Sequence, residues 1–185
     1  DNKDSFELEK NLSGFLRARI PLPSDNIHGI DKLRLNFWPS SKKIGDEFFH
    51  THPQYFESLL ISGGYEHTVY TEHPDGEKQL RKLLVEKDGK SRNQSDRGVV
   101  RLREKAIEKF YKDDHVRFPT HVIHKINYSF PESLSLNAVF KRKEAGNCTY
   151  KTFHNPEATK KELQSTAVRS TLPREEALKH REKIL

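Results

Sequence analysis

The chain has 185 residues, the size of one ordinary domain, and its 33% hydrophobic and 32% charged residues with a formal net charge of +6 fit a folded protein carrying polar insertions or tails. No stretch approaches the roughly 18 consecutive apolar residues of a membrane span, and the start Asp1-Asn2-Lys3-Asp4 lacks the basic-then-apolar order of a signal peptide, so a cytoplasmic location with no membrane partner is expected. The 33 Lys and Arg are spread among 27 acidic residues without a basic block, which argues against a nucleic-acid partner, and the single Cys148 excludes an intrachain disulfide and a cysteine zinc site.

From Ser5 to Arg19 the residues Phe6, Leu8, Leu12, Phe15, Leu16 and Ile20 fall mainly at helical spacings, and Ile20-Pro21-Leu22-Pro23 ends the pattern. This predicts a leading helix and an extended arm over 1–32. From Leu33 the period changes to two: Leu33, Leu35 and Phe37 alternate with Arg34, Asn36 and Trp38, as in a half-buried strand. Glu47 to Thr51, Glu57 to Ser62 and Tyr65 to Thr71 are further short strand candidates, separated by Pro53 and by Gly63-Gly64. The charged stretch 74–97, with Asp75-Gly76 and Asp88-Gly89, reads as an insertion, weakly ordered near Lys87 to Arg97.

Arg101 to Lys112 fits either a helix or a strand entering a turn at Asp113-Asp114. His115 to Phe118, Val122 to Ile126 and Ser133 to Phe140 return to strand patterns. The segment 156–185 is rich in Glu, Lys, Arg, Ala and Leu, with Pro173 in its middle, and is expected to be a basic tail of two short helices. Short strands at close spacing over 33–155 argue for one sandwich or barrel domain.

The chemistry is concentrated between Gly45 and Gly64. On a strand, residues two apart face the same side, so His50 and His52 can present two imidazoles to one point. A turn containing Pro53 can return Glu57 toward that point. Imidazole and carboxylate together suit Fe(II), Mn(II), Ni(II) or Zn(II), with positions left for water or substrate.

The spacing of Gly45, His50, His52, Glu57 and Gly64 resembles the first motif of the cupin superfamily. Pro119-Thr-His121-Val-Ile-His124-Lys-Ile-Asn127 resembles the second, with His121 where the family usually has Gly and Asn127 one residue early. The resemblance spans roughly Leu33 to Phe140. It implies a mainly β jelly-roll barrel holding one divalent metal ion on His50, His52, Glu57 and His124. The order of parts, with Leu35-Asn-Phe-Trp38 before the first motif, looks most like thiol dioxygenases of the cysteine dioxygenase type, in which the position of Glu57 is not a ligand.

The function expected on this basis is an Fe(II) dioxygenase acting on a small polar substrate, and the net charge points toward an anionic one. A non-redox zinc or nickel isomerase or lyase, or a non-catalytic ligand-binding cupin, is the alternative. A homodimer is possible, since such barrels commonly pair. His67 and His73 read as solvent-facing, with one left open as a hydrogen-bond donor beside the metal, and His121 reads as a turn or surface residue. Tyr55, Tyr65 and Tyr70 read as core aromatics rather than catalytic acids.

Overall fold

The structure, a computed structural model, describes residues 8–10, 15–22, 29–39, 42–43, 49–88, 91–141, 148–158 and 170–171. Their strands in the first half of the chain are β1 Leu8–Lys10, β2 Leu16–Ile20, β3 Ile30–Trp38, β4 Lys42–Lys43, β5 Phe49–His50, β6 Phe56–Ser62 and β7 Gly64–Glu72. The second half contributes β8 Lys78–Asp88, β9 Ser91–Tyr111, β10 His115–Phe118, β11 Ile123–Ser129, β12 Ser133–Phe140, β13 Cys148–His154 and β14 Ser170–Thr171. Every pairing between them is antiparallel.

The strands make two sheets. The first runs β10-β6-β12-β3-β2-β1-β14, and the second β4-β11-β5-β13-β8-β9-β7, with β11 pairing additionally with β7. The sheets face one another across an aromatic core. Trp38, Leu60, Val116 and Phe118 come from the first sheet and Tyr65 from the second, and Phe110 and Ile126 of the second sheet pack against them. A separate cluster of Tyr70, Leu102, Ile123 and Phe153, with Phe49 and Leu80, lies within the second sheet. A third, of Leu16, Ala18, Phe37 and Leu134, lies within the first.

This architecture corrects the expected cupin barrel flanked by helices. The described residues contain no helix, and their strands form two sheets rather than one closed barrel. The helical spacing between Ser5 and Arg19 is overruled where it can be followed. Leu16–Ile20 pairs along five positions with β3, burying Leu16 and Ala18 while Arg19 is exposed. Ladder pairing against a neighbouring strand outweighs the weak local preference of a short helix. Phe6 and Leu12 lie outside the described residues, as does most of the expected helical tail. Ser170–Thr171 is a strand paired with β1.

The stretch 74–97 is also more regular than expected. Among its described residues and those up to Tyr111, β8 pairs with the first half of β9 and β7 with the second. Arg101 to Lys112, open between helix and strand in the sequence, is strand up to Tyr111. The turn that follows lies at Asp113-Asp114, where Asp113 takes a φ of 72° and the Asp114 carboxylate accepts the Tyr111 amide at 2.7 Å. Gly63, at a φ of 63°, turns β6 into β7.

Candidate metal centre

His50 ends β5 and lies between two neighbours, opposite His124 of β11 on one side and Thr152 of β13 on the other. The next residue is pinned. Thr51 donates its amide to the Lys151 carbonyl at 2.9 Å, and its hydroxyl oxygen accepts the Lys151 amide at 2.9 Å. Pro53 and Gln54 then turn the chain. The Gln54 side chain donates to the Phe140 carbonyl and to Asp31, both at 3.0 Å, and the Phe140 amide bonds back to the Tyr55 carbonyl at 3.0 Å. His52 is held between these anchors.

The three histidines predicted from the two motifs meet. One ligand nitrogen from each of His50, His52 and His124 lies within 4.8 Å of the other two, and the Nε2 atoms of His52 and His124 are 3.0 Å apart. Three nitrogens about 2.1 Å from a shared ion stand about 3.4 Å from one another in a tetrahedral site, so these separations are of the size that a shared ion requires. The rings stand 4.6 to 4.8 Å apart between centroids. Among the described residues this is the group of His, Cys, Asp or Glu that could hold a metal ion.

The electrostatics favour neutral ligands. Burial holds His52 well below the ordinary imidazole value, and the His124, His50, Arg17 and Arg34 charges lower it further. Burial does the same to His124, with His50 and His67 adding to the effect. An unprotonated imidazole offers the lone pair a metal ion needs. The donor set of three imidazole nitrogens therefore fits a divalent ion with open positions for further ligands.

Glu57 is not in this group. Along β6, Phe56 and Leu60 pack into the core between the sheets, whereas Leu59 and Ile61 are exposed. Glu57 shares their parity and turns to the opposite face of the sheet. There Tyr55 donates its hydroxyl to one carboxylate oxygen, His115 Nε2 lies 2.9 Å from the other, and the Arg117 guanidinium is 3.6 Å away. The Tyr55 bond, more than the cation contacts, keeps the Glu57 carboxyl below its ordinary range, while burial and Glu57 push the Tyr55 phenol up.

A fourth histidine borders the centre. His67, expected to face solvent, is only 3% exposed, and its ring centroid is 5.8 Å from that of His124. Its Nε2 lies 2.6 Å from the Glu108 carboxylate of the paired strand β9, while its Nδ1 is buried with no hydrogen-bond partner among the described residues. Burial lowers the His67 pKa and the Glu108 bond partly opposes it. The alternation Tyr65-x-His67, with Tyr65 in the core, was the available signal for this inward direction. His154, also buried, has its Nε2 2.9 Å from the hydroxyl of Thr152, the residue opposite His50.

No family model matches the sequence. No curated protein matches it either. Solved structures that are similar in part include the following two. The capsular polysaccharide assembling protein CapF from Staphylococcus aureus is 11% identical, with a TM-score of 0.40 over 80% of this chain and 32% of CapF, so the chain spans about a third of that protein. A cupin-like protein from Thermotoga maritima is 10% identical, with a TM-score of 0.29 over 93% of this chain and 86% of its own. At these values neither likeness establishes a shared fold.

Proposed function

We propose that the chain is a metal-dependent enzyme in which His50, His52 and His124 hold one divalent ion, and that the ion is Fe(II) serving a dioxygenase reaction on a small polar substrate. The observation that carries the reading is the convergence of three imidazoles, two kept neutral by burial, from segments 72 residues apart. The resemblance of the two sequence motifs to cupin metal motifs supports the same three residues. Three protein ligands leave positions on the ion for substrate and for a small second reactant, which is the chemistry a bound ion would supply. The protein contributes neutral ligands, a fixed His50-to-Thr51 segment and a low-dielectric aromatic floor of Phe56 and Phe118 beneath His52.

The direction of Glu57 supports a second reading. With no carboxylate in the histidine group, the donor set equals that of three-histidine zinc sites, and a Lewis-acid isomerase or lyase follows from it. Nitric oxide separates the two. After anaerobic loading with Fe(II), the dioxygenase reading predicts a high-spin iron–nitrosyl resonance approaching one per bound iron. Retention of zinc against an excess of Fe(II), with no nitrosyl resonance, would overturn it in favour of the second reading.

A further inference from the structure

His67 stands between the surface and the three histidines. On β7 it lies opposite Glu108 of β9 on one side and Ile126 of β11 on the other. His124 is two residues from Ile126 along β11 and shares its face, and the His124 ring is 5.8 Å from that of His67. The His67 side chain is 3% exposed, whereas that of Glu108 is 47% exposed. Phe110 and Phe118 meet the His67 ring edge to face at 5.0 and 5.6 Å between centroids, so its plane is set from two directions.

Glu108 decides which nitrogen of His67 carries the proton. Its carboxylate lies 2.6 Å from Nε2, and a carboxylate accepts and does not donate, so the proton of the neutral ring sits on Nε2 and is given to Glu108. Burial favours that neutral form. Nδ1 then keeps its lone pair. The two ring nitrogens point in nearly opposite directions, so with Nε2 turned toward β9, Nδ1 turns away from it, to the side of β7 on which β11 carries His124.

This lone pair has nothing to serve within the fold. Nδ1 is buried with no hydrogen-bond partner among the described residues, which is unfavourable until a donor reaches it. His67 is also outside the group of histidines that could share an ion. An ammonium brought to Nδ1 would set a positive charge beside a divalent ion, whereas a hydroxyl supplies the missing hydrogen without charge.

We infer that His67, oriented by Glu108, accepts a hydrogen bond from the hydroxyl of a small ligand seated beside the three histidines, and so selects hydroxyl compounds over their ethers. The ligand's place beside the histidines rests on the metal-site reading, whereas the unpartnered Nδ1 does not.

The visible spectrum of the Co(II)-loaded full chain reports ligands that enter the centre without any turnover. Glycolate and methoxyacetate share a carboxylate, and only glycolate has a hydroxyl hydrogen. The ratio of their affinities, taken in the wild type and again in a variant, cancels what the ion itself prefers. His67→Phe keeps an aromatic ring between Phe110 and Phe118, and in it the preference for glycolate should fall about fivefold to tenfold with Co(II) retained. Glu108→Ala, a change at an exposed side chain, should lower the same preference by releasing the tautomer, and it decides the question if His67→Phe does not fold. An unchanged ratio in either folded variant, or no response of the wild-type spectrum to glycolate, would refute this role and leave the metal reading intact. Loss of Co(II) from folded His67→Phe would make His67 a ligand of the ion and refute it as well. Absence of bound Co(II) in the wild type would instead sink the metal reading.

Discussion

Acidifying the metal-free protein should destabilise it by an amount set by its buried neutral histidines. His52 and His124 have pKa values held well below 6.5 in the folded chain, whereas in the unfolded chain each takes up a proton near that value. The unfolded state thus binds more protons as the pH falls, and stability present above about pH 6.5 is lost below it. Linkage gives about 1.2 kcal/mol for each histidine between pH 7.0 and 5.5 if the folded form stays unprotonated, or about 2.5 kcal/mol for the pair. Urea unfolding at the two pH values, on the wild type and on His52→Asn/His124→Asn, measures the difference. The wild type should lose about 2.5 kcal/mol more than the double variant. Equal losses in the two proteins would show that these imidazoles are not kept neutral by the fold.

The contact between the sheets and the β6–β7 turn supply two further tests. Leu60, with no exposed surface, fills the core between the sheets, and Leu60→Ala should cost about 3 kcal/mol in denaturant unfolding, a loss below about 1 kcal/mol contradicting its placement. A Cβ on Gly64 would lie 2.1 Å from the Phe110 carbonyl oxygen, so Gly64→Ala must force β7 away from β9 and should cost about 3 kcal/mol or more, whereas a neutral effect on the thermal midpoint would refute that close approach.

The strands most legible in the sequence are those with one face in a core. His115 to Phe118 alternates between exposed and buried positions, and along β3 Leu35 and Phe37 join one cluster while Trp38 joins another, because the two faces of each strand meet different surroundings. The β8–β9 pair gave no such signal. Much of it is exposed, including Val99, Ile107 and Tyr111, so packing imposes little two-residue period on its charged residues. Leu16 to Ile20 carried both periods at once, and pairing with β3 decided between them.

The centre was legible in the same uneven way. Motif spacing picked out His50, His52 and His124, because short-range geometry around β5 and β11 brings them together. It misdirected Glu57, since one step of strand parity separates the core from the outer face and spacing alone does not fix that register. It gave no hint of the His67–Glu108 contact, whose partners meet only through pairing of β7 with β9 across 41 residues.

The central claim is that three histidines, and not Glu57, hold one ion. It is tested most directly by metal content per chain after reconstitution and desalting, measured by inductively coupled plasma mass spectrometry. The wild type and Glu57→Gln should each retain about one divalent ion per chain, and His50→Ala, His52→Ala and His124→Ala should each lose it while remaining folded. Failure of the wild type to retain an ion, or full retention in the histidine variants, would contradict the claim.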